Sequence, residues 1–151
     1  MMNPRNKPYD LEERLIDFAV DVIDVVEALP NSKAGNHIAN QLVRSGTSPA
    51  PNYAEARGAE SKKDFVHKLK ISLKELRETS VWLKVIGKKK FCDSVRNEAA
   101  IKECEELIAI FVSSTKTAEG NKHAPSRRSR ESNRIANDPS GGTFHFKNRK
   151  S

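Results

Sequence analysis

The sequence is poor in the residues that build metal centres, disulfide frameworks and membrane spans. Its two cysteines, Cys92 and Cys104, are too few and too far apart for a disulfide scaffold or a zinc site, which need paired or clustered thiols. Its four histidines, His37, His67, His123 and His145, are scattered, none at ligand spacing from a second histidine or a cysteine. No metal and no cofactor is expected. The longest apolar run is Leu107 to Val112, too short for a transmembrane helix, and Met1 to Asp10 offers no apolar core for a signal peptide. The expected location is the cytoplasm, with no membrane partner. No alternation of apolar and polar residues supports a sheet, and no internal repeat is visible.

What is present is helical patterning and charge. A chain of 151 residues, 36% hydrophobic and 31% charged, suits one modest core plus an appendage. The net charge of +7 is unevenly spread: residues 1–119 hold 19 Lys and Arg against 18 Asp and Glu, whereas residues 120–151 hold 8 against 2. Anionic partners are therefore implied chiefly for the tail.

Leu11, Leu15, Phe18, Val22, Val25 and Leu29 recur at three- and four-residue steps and predict a first helix from about Asp10 to Leu29, stopped by Pro30 and Asn31. Its other side carries Asp10, Glu13, Asp17, Asp21 and Asp24. A second helix starts near Ser32, turns Ile38, Leu42 and Val43 inward, and meets Ser45 to Pro51. There Ser48 is expected to cap a restart with Pro49 at the first position, giving one bent helix that ends at Gly58. Ser61 followed by Asp64 resembles a capping box opening a long third helix, with Gly87 as its stop. Phe65, Leu69, Leu73, Leu76, Ser80 and Leu83 form its inward stripe. At 100° per residue, Ile71, Trp82 and Val85 fall off that stripe and are read as an oligomer interface. Asp93 caps a fourth helix whose core face is Ala100, Ile101, Cys104, Leu107, Ile108, Phe111 and Val112. Cys104 is thus expected buried and inert, Cys92 accessible.

Few apolar residues follow Glu119, too few to offset ordering of that stretch. The expected architecture is all-α: a disordered N-terminus over 1–9, an antiparallel up-and-down four-helix bundle over 10–119, and a disordered basic C-terminal tail over 120–151.

The series Gln41-Leu-Val-Arg-Ser-Gly-Thr-Ser-Pro-Ala-Pro-Asn-Tyr-Ala-Glu-Ala56, Ser61-Lys-Lys-Asp-Phe65, Lys74-Glu-Leu-Arg-Glu-Thr79 and Trp82-Leu83 resembles the bacterial four-helix bundle proteins of the 23S rRNA intervening-sequence type. The resemblance spans roughly residues 10–119. It implies a small helical bundle without known enzymatic activity, assembled in related members as a ring-shaped homopentamer. The related accessory variability determinants of diversity-generating retroelements imply a nucleic-acid partner and a nucleic-acid-processing enzyme. Asn52 and Glu55 match the family's Asn-x-x-Glu, and Glu75 and Glu78 its Glu-x-x-Glu. The tail matches nothing in the family.

Lys63, Lys70, Arg77 and Lys84 stand at seven-residue intervals on the third helix, with Lys74 and Lys88 on the same side. This stripe, ~37 Å long if helical, is a candidate site for RNA or DNA, since several phosphates could be met together. Arg127, Arg128 and Arg130 in the tail add mobile cations that meet phosphates without reading bases. Two alternatives stay open: a solvated face on a protein-interaction scaffold without nucleic-acid binding, or a stripe neutralised by the acids of helix one, in the same or a neighbouring subunit. An enzyme built on Glu55, Glu75, Glu78, Tyr53 or His67 is disfavoured. Di-iron bundles need Glu-x-x-His on two helices, and this chain has none. Buried acids that satisfy Arg44 or backbone donors account for those residues better, and no catalysis is expected.

Overall fold

The computed structural model describes residues 10–120. The expectations for residues 1–9 and for the tail beyond 120, including Arg127, Arg128 and Arg130, lie outside the described residues.

The described chain is all-helical: α1 (Leu11–Glu27), α2 (Lys33–Thr47), α3 (Pro49–Arg57), α4 (Lys62–Lys89) and α5 (Ser94–Gly120). α2 and α3 together form the bent second helix, so the architecture is the antiparallel four-helix bundle. Three starts share one chemistry, which was expected at Ser61 alone. Asp10 accepts from the Glu13 amide, Ser32 from Gly35 and Ser61 from Asp64, each satisfying a donor that the first turn leaves unpaired. Asp93 does the same for Arg96 at the start of α5.

Two expectations are corrected. α3 does restart with Pro49 at its first position and Ser48 flanking it, but the Ser48 side chain caps nothing: the residue lies in the right-handed helical region (φ −72°, ψ −35°) and makes no side-chain cap bond. Instead Asn52 Nδ2 donates to the Ser48 carbonyl and hydroxyl, each at 3.0 Å. Pro49 and Pro51 bring no amide of their own to this turn, which is where the helical ladder is interrupted. Gly87 does not end α4 either. The helix continues to Lys89 and stops at Lys90, which takes the left-handed conformation (φ 56°) usual for glycine. Gly87 instead marks a close approach, since a Cβ there would lie 2.9 Å from Asn97 Nδ2. That Asn97 amide, buried at the first turns of α5, donates to the Leu83 carbonyl at 3.0 Å.

The core follows the sequence periodicity. Leu15, Phe18, Val22 and Val25 of α1 meet Ile38 and Leu42 of α2, Leu69, Leu76, Leu83 and Ile86 of α4, and Ala100, Cys104, Leu107 and Phe111 of α5. Phe65, Leu73, Ile101 and Ile108 are half-buried at its margin, as is Val43. Tyr53 packs edge-on against Phe111 at 5.8 Å between ring centroids, so it serves the core. Helix spacing is set by small residues: Gly46 lies against Val22, and the Ser45 and Thr79 hydroxyls are hydrogen-bonded at 2.9 Å between α2 and α4.

Cross-helix contacts fix the arrangement. α1 meets α2 and α3 on one side, through Val22–Gly46 and Glu12–Arg57, and α5 on the other, through Arg14–Glu103 and Arg14–Glu106. α4 meets α2 and α3 through Thr79–Ser45 and Lys68–Glu55, and α5 through Ser80–Glu105 and the Cys104 thiol on the Leu76 carbonyl. α1 and α4 therefore occupy opposite corners of the bundle.

Candidate nucleic-acid interface

α4 separates its residues cleanly. Val66, Leu69, Ser72, Leu76, Thr79, Ser80, Leu83 and Ile86 are buried. Lys63, Lys70, Lys74, Arg77, Lys84 and Lys88 are all exposed, at steps of three, four and seven that hold them on one outward line. His67 and Val81, both exposed, complete this line; the sequence reading passed over them although they obey the same spacing. With α4 unbroken from Lys62 to Lys89, the line keeps its expected length of ~37 Å.

Two of the six cations have partners within the chain. Lys70 pairs with Glu119, and Lys84 with Glu105 at 3.0 Å. Glu105 also accepts from the Ser80 hydroxyl at 2.7 Å; that bond and Lys84 lower its pKa. Among the described residues, Lys63, Lys74, Arg77 and Lys88 enter no ion pair. The stripe cations that are paired find their acids on α5, and α1 lies at the opposite corner of the bundle.

The acidic motif residues fall into two unequal sets. Glu75 and Glu78, half-buried, both pair with Arg44 of α2, with Arg44 Nη1 donating to Glu75 at 3.1 Å. Glu78 also accepts from Trp82 Nε1 at 3.3 Å, and Trp82 stands edge-on to His37 at 6.1 Å. Glu55 departs from the expectation of a buried acid beside the bend. It is exposed, and its partner is Lys68 of α4 rather than Arg44, which is taken up by Glu75 and Glu78. Asn52 is half-buried on Ser48.

Ile71, Trp82 and Val85 are half-buried, and the latter two pack against the core from its margin. α4 is flanked by α2 on one side and α5 on the other, and part of the surface of Trp82 and Val85 is taken up within one chain. Among the described residues, the large apolar side chains left exposed are Ile16, Val20 and Ile23 on α1, Val81 on α4 and Val95 on α5. The α1 set stands at i, i+4 and i+7. That spacing was visible in the sequence but overlooked beside the stronger core stripe.

No group of three His, Cys, Asp or Glu able to hold a metal occurs among the described residues. No helix among them is long and apolar enough to cross a membrane. The Cys104 thiol, fully buried, is pushed up to about 12 by desolvation and neighbouring Glu105. Burial and Asp93 raise that of half-buried Cys92 too, which makes both poor nucleophiles.

Comparison with known proteins agrees with the architecture. A crystal structure from Bacteroides thetaiotaomicron, of a protein with unknown function from the S23 ribosomal protein family, matches with a TM-score of 0.65 and 30% sequence identity, covering 70% of this chain and 97% of that one. No curated protein matches. The family model described as 23S rRNA-intervening sequence protein matches residues 9–113. With that match over most of the bundle, the chain belongs to the 23S rRNA-intervening sequence protein family.

Proposed function

We propose that this protein is a non-enzymatic, self-assembling bundle that binds RNA or DNA through the phosphate backbone, using the outward stripe of α4 and the basic tail, as an accessory to a nucleic-acid-processing enzyme. The carrying observation is the stripe itself: six cations on one exposed helix face with no acid among them, four of them outside any ion pair among the described residues. Such a track suits charge-based recognition of successive phosphates and carries no base-reading arrangement. Five copies in a ring would follow the family resemblance, and several tails on one assembly would raise the effective concentration of cations.

The test is binding of labelled duplex DNA and RNA by the full chain across a salt series. If all six stripe cations meet phosphates on duplex DNA, the log–log slope is about −5, and affinity falls about a thousandfold between 50 and 200 mM salt. Deleting residues 120–151 should weaken binding and flatten the slope without abolishing it. Changing Lys63, Lys74, Arg77 and Lys88 to Gln should remove about 3.6 of the slope, with helicity retained. Unchanged affinity in that variant would make the tail the sole binder. Absence of binding by the intact chain at low salt would leave a protein-interaction scaffold.

A further inference from the structure

α1 exposes a line of apolar side chains that its own bundle leaves uncovered. Ile16, Val20 and Ile23 are 43%, 52% and 40% exposed and stack on one face, one and two turns apart. Glu13, Asp17 and Asp24, all exposed, run along one edge of that line. A surface of this kind, apolar along its middle and acidic at its side, is matched by one that is apolar at its centre and basic around it.

The same chain carries that complement. On α4, Val81 is 58% exposed and lies within the cation line, one turn from Arg77 and Lys84 on either side, with Lys74 and Lys88 beyond. Because α1 and α4 sit at opposite corners, the two surfaces face away from one another and cannot meet inside one chain. They can meet only between copies.

We propose that the outer face of α1 docks on the Val81-centred basic face of α4 in a second copy, head to tail. This rests on the self-assembly in the reading above and names its surfaces, which are not the half-buried Ile71, Trp82 and Val85. The contact joins two different patches, so each copy offers one of each and the assembly extends until it closes on itself. It also regulates the nucleic-acid site: the carboxylates of α1 and phosphates compete for Lys74, Arg77 and Lys84, so each stripe serves either a neighbour or a nucleic acid. The ionic part of the contact weakens as salt rises.

A heterologous contact has a distinctive mixing test, read by light scattering on the full-length protein. Ile16→Gln with Val20→Gln disables the α1 face, and Lys74→Glu with Val81→Gln disables the α4 face; all four side chains are exposed, and circular dichroism checks that each variant folds. Wild type should exceed the 16.9 kDa monomer, each variant should fall to it, and an equimolar mixture should form a species of twice that mass, joined through the one intact face on each partner. If a double variant misfolds, the single changes Val20→Gln and Val81→Gln should each shift wild-type assembly toward monomer. A monomeric wild type overturns the proposal, as do variants that keep the wild-type mass or a mixture that stays monomeric. The monomeric α1 variant retains every stripe cation and should bind duplex DNA at least as tightly as wild type. Loss of DNA binding there, with the mixed dimer intact, would refute the nucleic-acid reading and leave the docking surfaces standing.

Discussion

Replacing Gly46 by alanine probes the closest approach of α1 and α2. An added Cβ would lie 2.6 Å and 2.8 Å from the two γ-methyls of Val22 and 3.1 Å from its Cβ. Rotating Val22 cannot clear both methyls, because a β-branched side chain has few χ1 positions and its surroundings are packed. Either the helices separate or Val22 leaves its rotamer, at a cost of about 1–3 kcal/mol. Alanine gains about 1 kcal/mol over glycine inside a helix, so the net expectation is a loss of up to about 2 kcal/mol. Urea unfolding followed by circular dichroism measures it as a fall in midpoint at constant m-value. Val22→Ala, which removes both clashing methyls, should be destabilising alone, and combined with Gly46→Ala it should cost at least about 1 kcal/mol less than the sum of the singles. A Gly46→Ala protein more stable than wild type by the full helix-propensity gain, with no coupling to Val22, would refute the close approach.

Cys104 predicts an alkaline limb of stability. Its thiol keeps its proton in the folded state to about pH 12, whereas an unfolded cysteine loses it near pH 9; between those values the unfolded state binds fewer protons, so stability falls as pH rises, by up to ~1.4 kcal/mol per unit. Cys104→Ala should lack that share of the slope, and equal slopes in the two proteins would show the thiol to be solvated. Arg44→Met should cost about 1–2 kcal/mol, because Glu75 and Glu78 are left half-buried side by side. Adding Glu75→Gln should restore part of that loss in a urea midpoint, and an Arg44→Met protein as stable as wild type would mean the two acids need no partner. Glu55→Leu, by contrast, should change stability by less than about 0.5 kcal/mol, since it removes only an exposed pair with Lys68; a larger loss would assign Glu55 a role that surface position does not explain.

The sequence carries the parts of this fold that depend on local spacing and caps. Leu15, Phe18, Val22 and Val25 announce α1 by periodicity, and Ser61 and Asp93 announce helix starts because their side chains act on amides only three residues away. What depends on neighbours was hidden. Gly87 reads as a stop in isolation, and only the position of Asn97 explains it as a notch inside a helix. Likewise Trp82 and Val85 read as surplus apolar surface when α4 is drawn alone, but part of each packs against the core. The cation stripe was legible because one helix carries all of it, whereas the part proposed for the tail rests on composition alone.

The division of α4 into a buried half and an outward half has a consequence for how such a bundle diversifies. None of the outward residues from Lys63 to Lys88 is a core side chain, so that face behaves as an exchangeable panel mounted on a fixed frame. Lineages can rewrite its charge while the buried contacts of α4 stay in place. Relatives that share the frame can therefore differ wholly in what they touch.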